Sequence, residues 1–272
     1  MFLVFAGEGL PARANEDDFA EWAMKRRAEA LCRISPDVIM HPSALSLAEA
    51  QISPSLRVSG PYPWKYGITT TVFWIGEKAT PRNPVSNEKS AWDSDWVLRY
   101  GGYDNPDAAA RVNFVPVGVV PGINPFYVAL PYNDINDHHT KPEAALVIPW
   151  FRMTFVRDGE SVCKGRWLAI RHGRRVCYAQ WEDVGPFAVD HWQYVFGSER
   201  PRPNPNQDAG LDVSPAVRDF LGLSGDDRCD WKFVDFANVP LGPWSLYGDD
   251  NPFVRLRRLR SVLPAGKIVT RP

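Results

Sequence analysis

The chain predicts a mainly β domain folded as a barrel with one or two helices inserted, and three observations carry that prediction. Its 25 prolines in 272 residues are nearly double the ordinary share of about 5%. Proline breaks helix interiors and favours turns and ordered loops. Short runs of β-branched and aromatic residues recur, each ending at Gly or Pro, which is the pattern of strands rather than helices. Finally, 44% hydrophobic and 12% aromatic residues can fill one substantial core, and the length suits one elaborated domain.

The elements follow in order. The N-terminus, "MFLVFAGEGLPARANEDD", opens apolar and reaches the small-x-small triplet "ARA" at 12–14, the kind of site a signal peptidase cuts. Residues 1–14 are therefore expected to be a truncated signal segment, interrupted by Glu8, with an ordinary frayed terminus as the alternative, and the protein is expected to be exported to a periplasmic or extracellular space. Residues 15–33 read as a helix capped by Asn15, with acids in its first turn and a sparse stripe of Phe19, Trp22, Ala23, Ala30 and Leu31. Residues 34–63, punctuated by Pro and Ser, read as a linker wrapped on the surface. The barrel domain is assigned to 64–272.

Within that domain, "GITTTVFWIG" (67–76), "RVNFVPVGVV" (111–120) and "NPFYVALPY" (124–132) read as strands. "CKGRWLAIRHGRRVCYAQW" (163–181) reads as a hairpin with its turn centred near His172-Gly173. That register sets Cys177 opposite about Leu168, so a Cys163–Cys177 disulfide is not expected. "KPEAALVIPWFRMTF" (141–155) fits helix or strand equally. "SPAVRDFLGL" (214–223) is a short helix, with Ser214 as N-cap, Pro215 at the first helical position and Gly222 at its end. In "QWEDVGPF" (180–187) two adjacent acids, Glu182 and Asp183, end a strand beside Trp181. Glu182 reads as a solvated strand-end acid, while Asp183 fits a turn or a site equally.

Composition narrows the function classes. A net charge of −1 leaves no electrostatic footprint for nucleic acid, and "RLRRLR" (255–260) reads as a solvated or salt-bridged strand face. No stretch approaches the roughly 20 apolar residues of a membrane span. Cys32, Cys163, Cys177 and Cys229 have neither a CxxC pair nor zinc spacing. His138 and His139 of "NDHHT" are adjacent and would point opposite ways on a strand. Asp249 and Asp250 of "YGDDNPF" read as a solvated turn. Ser161 and Ser214 lack His/Asp company, and no Gly-rich phosphate loop occurs. No metal or cofactor is therefore expected. Eleven tryptophans are unusually many. Most are expected in the core, but flat indole faces also suit the C–H faces of sugar rings.

Several motifs together resemble a known family. "VCYAQWEDVGPF" resembles the V-x-V-x-x-N-D-x-G-P-F strand of the rare lipoprotein A-like double-psi β-barrels, and "GLDVSPAVRDFLGL" resembles their IDLSxAAxxxLG segment. "YVALP" resembles AAHxxLP, and "TTTVFWIG" resembles an opening strand shared with expansins and family 45 endoglucanases. The resemblance spans 67–223, with insertions at 77–125 and 132–162. It implies a double-psi β-barrel core with an N-terminal helix, a short helix after the Asp212 strand and long Pro-rich loop insertions. It also implies a polysaccharide groove. The family's two aspartates fall on Asp183 and Asp212, which makes these the catalytic candidates: Asp212 as general acid, Asp183 as its electrostatic or base partner. Trp181, Tyr127, Thr71, Trp74 and Asn133 become the substrate-binding candidates. Tyr127 stands where the family has histidine, "VVPGIN" stands where some members carry acids, and Asn133 and Asp134 follow the "LP". The implied function is an exported, cell-wall glycan-active protein, either a lytic transglycosylase or glycosidase acting on peptidoglycan or a related polysaccharide. The alternative is a non-catalytic carbohydrate-binding or wall-loosening module on the same barrel. A barrel that is merely structural is the third possibility.

Overall fold

A computed structural model describes residues 62–80, 85–225 and 227–262. The expected signal segment 1–14, the helix 15–33, Cys32 and the linker as far as residue 61 lie outside the described residues. Two compact units are distinguished: the described part of one is Ile135–Glu160, and the other contains the barrel.

The barrel has six strands: β1 (Lys65–Val72), β2 (Tyr127–Leu130), β3 (Arg166–His172), β4 (Arg175–Val184), β5 (Leu211–Val213) and β6 (Asp227–Val234). They close in the order β1-β6-β3-β4-β2-β5. The β1/β6, β6/β3, β3/β4 and β2/β5 pairs are antiparallel, whereas β4/β2 and β5/β1 are parallel. The protein is thus mainly β, with a closed mixed barrel and a few short helices. In β6, Cys229, Trp231 and Phe233 are buried, while the intervening Arg228, Asp230 and Lys232 are less so. That alternation of period two is what a half-buried strand requires. Trp231, Phe233 and Trp181 pack against one another with ring centroids 5.1 and 5.9 Å apart. They join Val128, Leu168, Ile170, Leu211 and Val213 among the buried side chains. Each fully buried aliphatic contributes about 1.5–3 kcal/mol.

The β3/β4 hairpin turns one residue later than expected. His172 pairs with Arg175, and Cys177 lies opposite Ile170 rather than Leu168. Gly173, at φ +56°, supplies the left-handed conformation that a two-residue turn needs. Cys163, Cys177 and Cys229 are buried free thiols. Residues 111–120 form two dipeptide strands, Arg111–Val112 and Val115–Pro116, around Asn113 and Phe114, both at positive φ. In the other unit, the ambiguous stretch 141–155 contains two one-turn helices, Ala144–Val147 and Phe151–Thr154.

Three helices of the barrel unit matter here: α1 (Trp96–Tyr100), α2 (Pro215–Leu221) and α3 (Pro252–Val262). α2 is capped as its sequence predicts. The Ser214 side chain accepts from the Val217 N–H, and Gly222 takes the αL conformation at the C-terminus. α3 corrects the strand expected for "RLRRLR". Its arginines grip the preceding loop instead: Arg257 donates to the Ser245 and Leu246 carbonyls, and Arg258 pairs with Asp249 at 2.7 Å.

The long β1–β2 connection builds a second small core. Phe73, Ile75, Trp96, Tyr100 and Ile123 pack over Tyr127 and Ala129 of β2. No helix among the described residues is long and apolar enough to cross a membrane.

Candidate functional site

Register places the two predicted acids in one row. Thr71 of β1 pairs with Asp212 of β5, Asp212 pairs with Ala129 of β2, and Ala129 pairs with Asp183 of β4. Residues paired across neighbouring strands project from the same face of a sheet, so Thr71, Asp212, Ala129 and Asp183 share one side. Two strand spacings separate the aspartates, about 10 Å at Cα. The residues between them, Ala129 and Gly185, are small and buried. Ala129 offers one methyl, and a Cβ built at Gly185 would lie 3.4 Å from Asp212 Oδ2 and 3.9 Å from that methyl. A Cβ there would sit in ordinary contact with Asp212.

Asp212 is the partly exposed middle residue of β5, flanked by buried Leu211 and Val213. Burial pushes its carboxyl up to about 7; the Thr71 hydroxyl, donating to Oδ1, opposes the rise, and the charges of Asp183 and Glu77 add to it. Asp183 is 7% exposed. Burial raises its carboxyl to about 6 against the opposing amides of Ala91 and Val184, the former donating to Oδ1 at 2.8 Å. Near neutrality, Asp212 therefore retains much of its proton while Asp183 is mostly ionised.

Glu182 is not the solvated acid expected. It is 1% exposed, and neither carboxylate oxygen has a hydrogen-bond partner. Burial drives its carboxyl well above the usual range, and the charge of Asp250 adds to that. The cause is a bulge: Val128 pairs with Trp181 and Ala129 with Asp183, leaving Glu182 as the extra residue.

Two of the predicted binding residues present no ring to solvent. Trp181 is fully buried among Trp92, Phe196 and Phe233, and its Nε1 donates to the Asp183 carbonyl at 2.7 Å. Tyr127 is also fully buried. Its hydroxyl donates to Asp104 Oδ2 at 2.7 Å and accepts from the Ile75 N–H at 3.0 Å. Tyr100 and Arg111 complete this network around Asp104. Tyr127 is buried because the β1–β2 insertion folds over it, which its motif position did not signal. Asn133 Oδ1 accepts from Trp92 Nε1 at 2.7 Å, anchoring the loop that covers Asp183. Asp134 is buried, taking the Ser161 hydroxyl and the Val162 amide.

Trp74 and Thr71 are better placed. Thr71 holds Asp212, and partly exposed Trp74 lines a cleft of about 650 Å³ with Glu77, Lys78, Glu88 and Tyr103. Motif matching missed Glu77, Ala129 and Gly185. Gly185 had a signal in the Gly-Pro step that ends the strand, whereas Glu77 had none. In the other unit, His139 Nδ1 lies 2.7 Å from Asp158 Oδ2. Among the described residues, no group of three or more His, Cys, Asp or Glu is placed to hold a metal ion.

No protein-family model matches the chain, and no curated protein matches it in sequence.

Proposed function

We propose that the protein is a double-psi β-barrel that binds a polysaccharide across the β1–β5–β2–β4 face and cleaves it with Asp212 as the general acid. The strand order supports the fold. β1 and β2, successive barrel strands along the chain, run antiparallel with β5 between them, and β4 and β5 run antiparallel with β2 between them. Two such crossings agree with the double-psi reading.

The observation that carries the function is the row itself: a partly exposed carboxyl raised to about 7 that shares one face of the sheet with a second, nearly buried acid. Glycosidic cleavage needs a carboxylic acid still protonated at working pH to protonate the leaving oxygen. Asp183 lies under the Ala91 loop, poorly placed to activate a water but close enough to raise Asp212 by its charge. This favours the transglycosylase course over hydrolysis. Asp212 gives its proton to the glycosidic oxygen, the bond to the anomeric carbon breaks, a hydroxyl of the same sugar attacks that carbon, and its proton returns to Asp212. Peptidoglycan is the proposed substrate class, and an exported location is part of the proposal.

The burial of Asp183 and Tyr127 also favours a second reading, a module that grips glycan without turnover. Incubation with purified sacculi and several β-glucans, followed by mass analysis, tests both. Anhydro-sugar ends support the first reading, sedimentation with the polymer without products supports the second, and neither outcome refutes both.

A further inference from the structure

At the start of β1, the end remote from Thr71, the ladder with β6 is interrupted. Lys65 pairs with Trp231 and Ile68 with Cys229, so Tyr66 and Gly67 together face Asp230 as a bulge. Gly67 takes φ +57°, the left-handed conformation that such bulges favour. The Tyr66 and Gly67 carbonyls accept from Arg200 Nη1 and Nη2 at 2.6 and 2.9 Å. In return, Lys65 Nζ donates to the Gly197 carbonyl at 2.7 Å. The loop after the helical turn Trp192–Val195 and the start of β1 thus clasp each other through two cations.

The Lys65 ammonium lies over the Tyr194 and Trp231 rings, 5.4 and 5.5 Å from their centroids. Both rings are buried and fixed in place: Trp231 Nε1 donates to the Tyr194 hydroxyl at 2.8 Å, and that hydroxyl donates to the Gly210 carbonyl at 3.0 Å. Aromatic faces attract an ammonium but bring no net charge. The acids of the neighbourhood are committed elsewhere. Glu199 lies 3.0 Å from His191 Nε2, Asp190 pairs with Arg202 at 2.7 Å, and Asp230 takes Arg171 at 2.6 Å and the Gly67 amide at 2.8 Å. Among the described residues, no carboxylate pairs with Lys65 or Arg200. Burial and the charge of Arg200 lower the Lys65 ammonium to about 8, which leaves it mostly charged at neutral pH.

The two cations also have donors to spare. An ammonium has three N–H donors and a guanidinium five, so about five remain beyond the three spent on carbonyls. Arg200 is exposed and Lys65 partly so. A Cβ built at Gly67 would meet nothing within 4 Å, so open space adjoins the pair.

We propose that Lys65 and Arg200 form a binding site for a phosphate group at the end of the barrel remote from the Asp212 row. A phosphate carries about −1.5 to −2 charge near pH 7 on three strong acceptor oxygens, which matches two cations and their spare donors. A carboxylate brings one charge and two oxygens. Arginine supplies a planar fork and lysine a point charge, a pairing suited to phosphate. Lys65 and Thr71 lie about 20 Å apart along β1, so the site is separate from the glycan reading and does not depend on it. Two sources offer the group: free inorganic phosphate and a sugar phosphate monoester.

The test is calorimetric titration of the full chain at pH 7 and low salt with inorganic phosphate, glucose 6-phosphate and acetate. At least one phosphate probe should bind at a single site with a Kd of about 1 mM or below, and the tighter of the two identifies the source. Acetate should bind about tenfold or more weakly. Phosphate binding should weaken as chloride is raised. It should also fall about tenfold or more in Arg200→Gln, at an exposed position, and in Lys65→Met, which keeps an apolar stem between the rings. Nuclear magnetic resonance of the Lys65 amine gives a second readout, because a bound dianion should raise its titration midpoint. If Lys65→Met fails to fold, Arg200→Gln and that midpoint decide. Native-like phosphate binding by the folded variants, acetate binding as tight as phosphate, or no saturable binding of either phosphate overturns the site, and none of these results bears on the glycan reading.

Discussion

Replacing Asp212 by asparagine keeps the side chain's shape and an oxygen for the Thr71 hydroxyl, but removes the titrating proton. The carboxyl is raised from 3.8 to about 7. A folded-state value above the unfolded one means that the fold favours the protonated form. The resulting cost is absent below about pH 4, grows as pH rises toward 7, and is complete above it. Three units correspond to about 4 kcal/mol as an upper bound, and the partial exposure of Asp212 reduces the realised value to about 1–3 kcal/mol. Asparagine carries none of this cost. Asp212→Asn should therefore be more stable than the native chain by about 1–3 kcal/mol at pH 8, and indistinguishable from it at pH 4. Its cleavage of sacculi should fall by about 100-fold or more. Urea titrations at pH 4, 6 and 8 measure the first effect, and release of soluble fragments measures the second. A variant less stable than native at pH 8 would show that the carboxylate is a structural asset. A well-folded variant cleaving at the native rate would remove Asp212 as the acid.

The remaining expectations come from its neighbours. Cleavage should fall as pH rises through about 7, where Asp212 loses its proton; a rate that keeps rising to pH 8 contradicts its role as the acid. Thr71→Val removes the donor that lowers Asp212, so the alkaline limb should move upward and stability should fall by about 1 kcal/mol. Glu182→Gln should raise the melting temperature at pH 8 and not at pH 4.5, because the native chain loses up to about 1.4 kcal/mol per pH unit keeping that carboxyl protonated. Asp104→Ala removes the buried carboxylate that Arg111 and two tyrosine hydroxyls share and should cost about 3–5 kcal/mol in chemical denaturation.

Local signals were legible and long-range ones were not. The α2 helix could be read from Ser214, Pro215 and Gly222 because a cap is a matter of a few adjacent residues. Strand alternation sets Asp212 off the apolar face of Leu211 and Val213, as the burial of β5 shows. β6 was equally legible but passed over: Cys229, Trp231 and Phe233 alternate with Arg228, Asp230 and Lys232, but the run lies past the last family-like motif. "RLRRLR" misled as a strand because it lacks a clear apolar face; Leu256 and Leu259 are both exposed, and the helix is held by arginine contacts to loop carbonyls that no periodicity encodes. Tyr127 and Trp181 are aromatic residues in groove-like motifs. Whether such rings meet sugar or protein depends on what an insertion covers, and that is a tertiary fact.

The adjacent acids at the end of β4 acquire their separate fates from one extra residue. In regular pairing, Trp181 and Asp183 would share a face and Glu182 would take the other. The bulge instead aligns Trp181 with Val128 and Asp183 with Ala129, and since Val128 and Ala129 face opposite ways, so do their partners. Trp181 consequently enters the aromatic core while Asp183 joins the row of Asp212 and Thr71. Glu182 is the residue left over, enclosed with neither oxygen paired. Bulges re-aim side chains beside functional sites and leave one residue outside the ladder, and local strain is tolerated where the surrounding fold holds it. The unfavourable burial of Glu182 follows from the same backbone feature that brings Asp183 within electrostatic reach of Asp212, so removing its charge should stabilise the barrel, while deleting the residue makes Trp181 and Asp183 adjacent, keeps them opposite Val128 and Ala129, and should leave Asp183 in the row with Asp212.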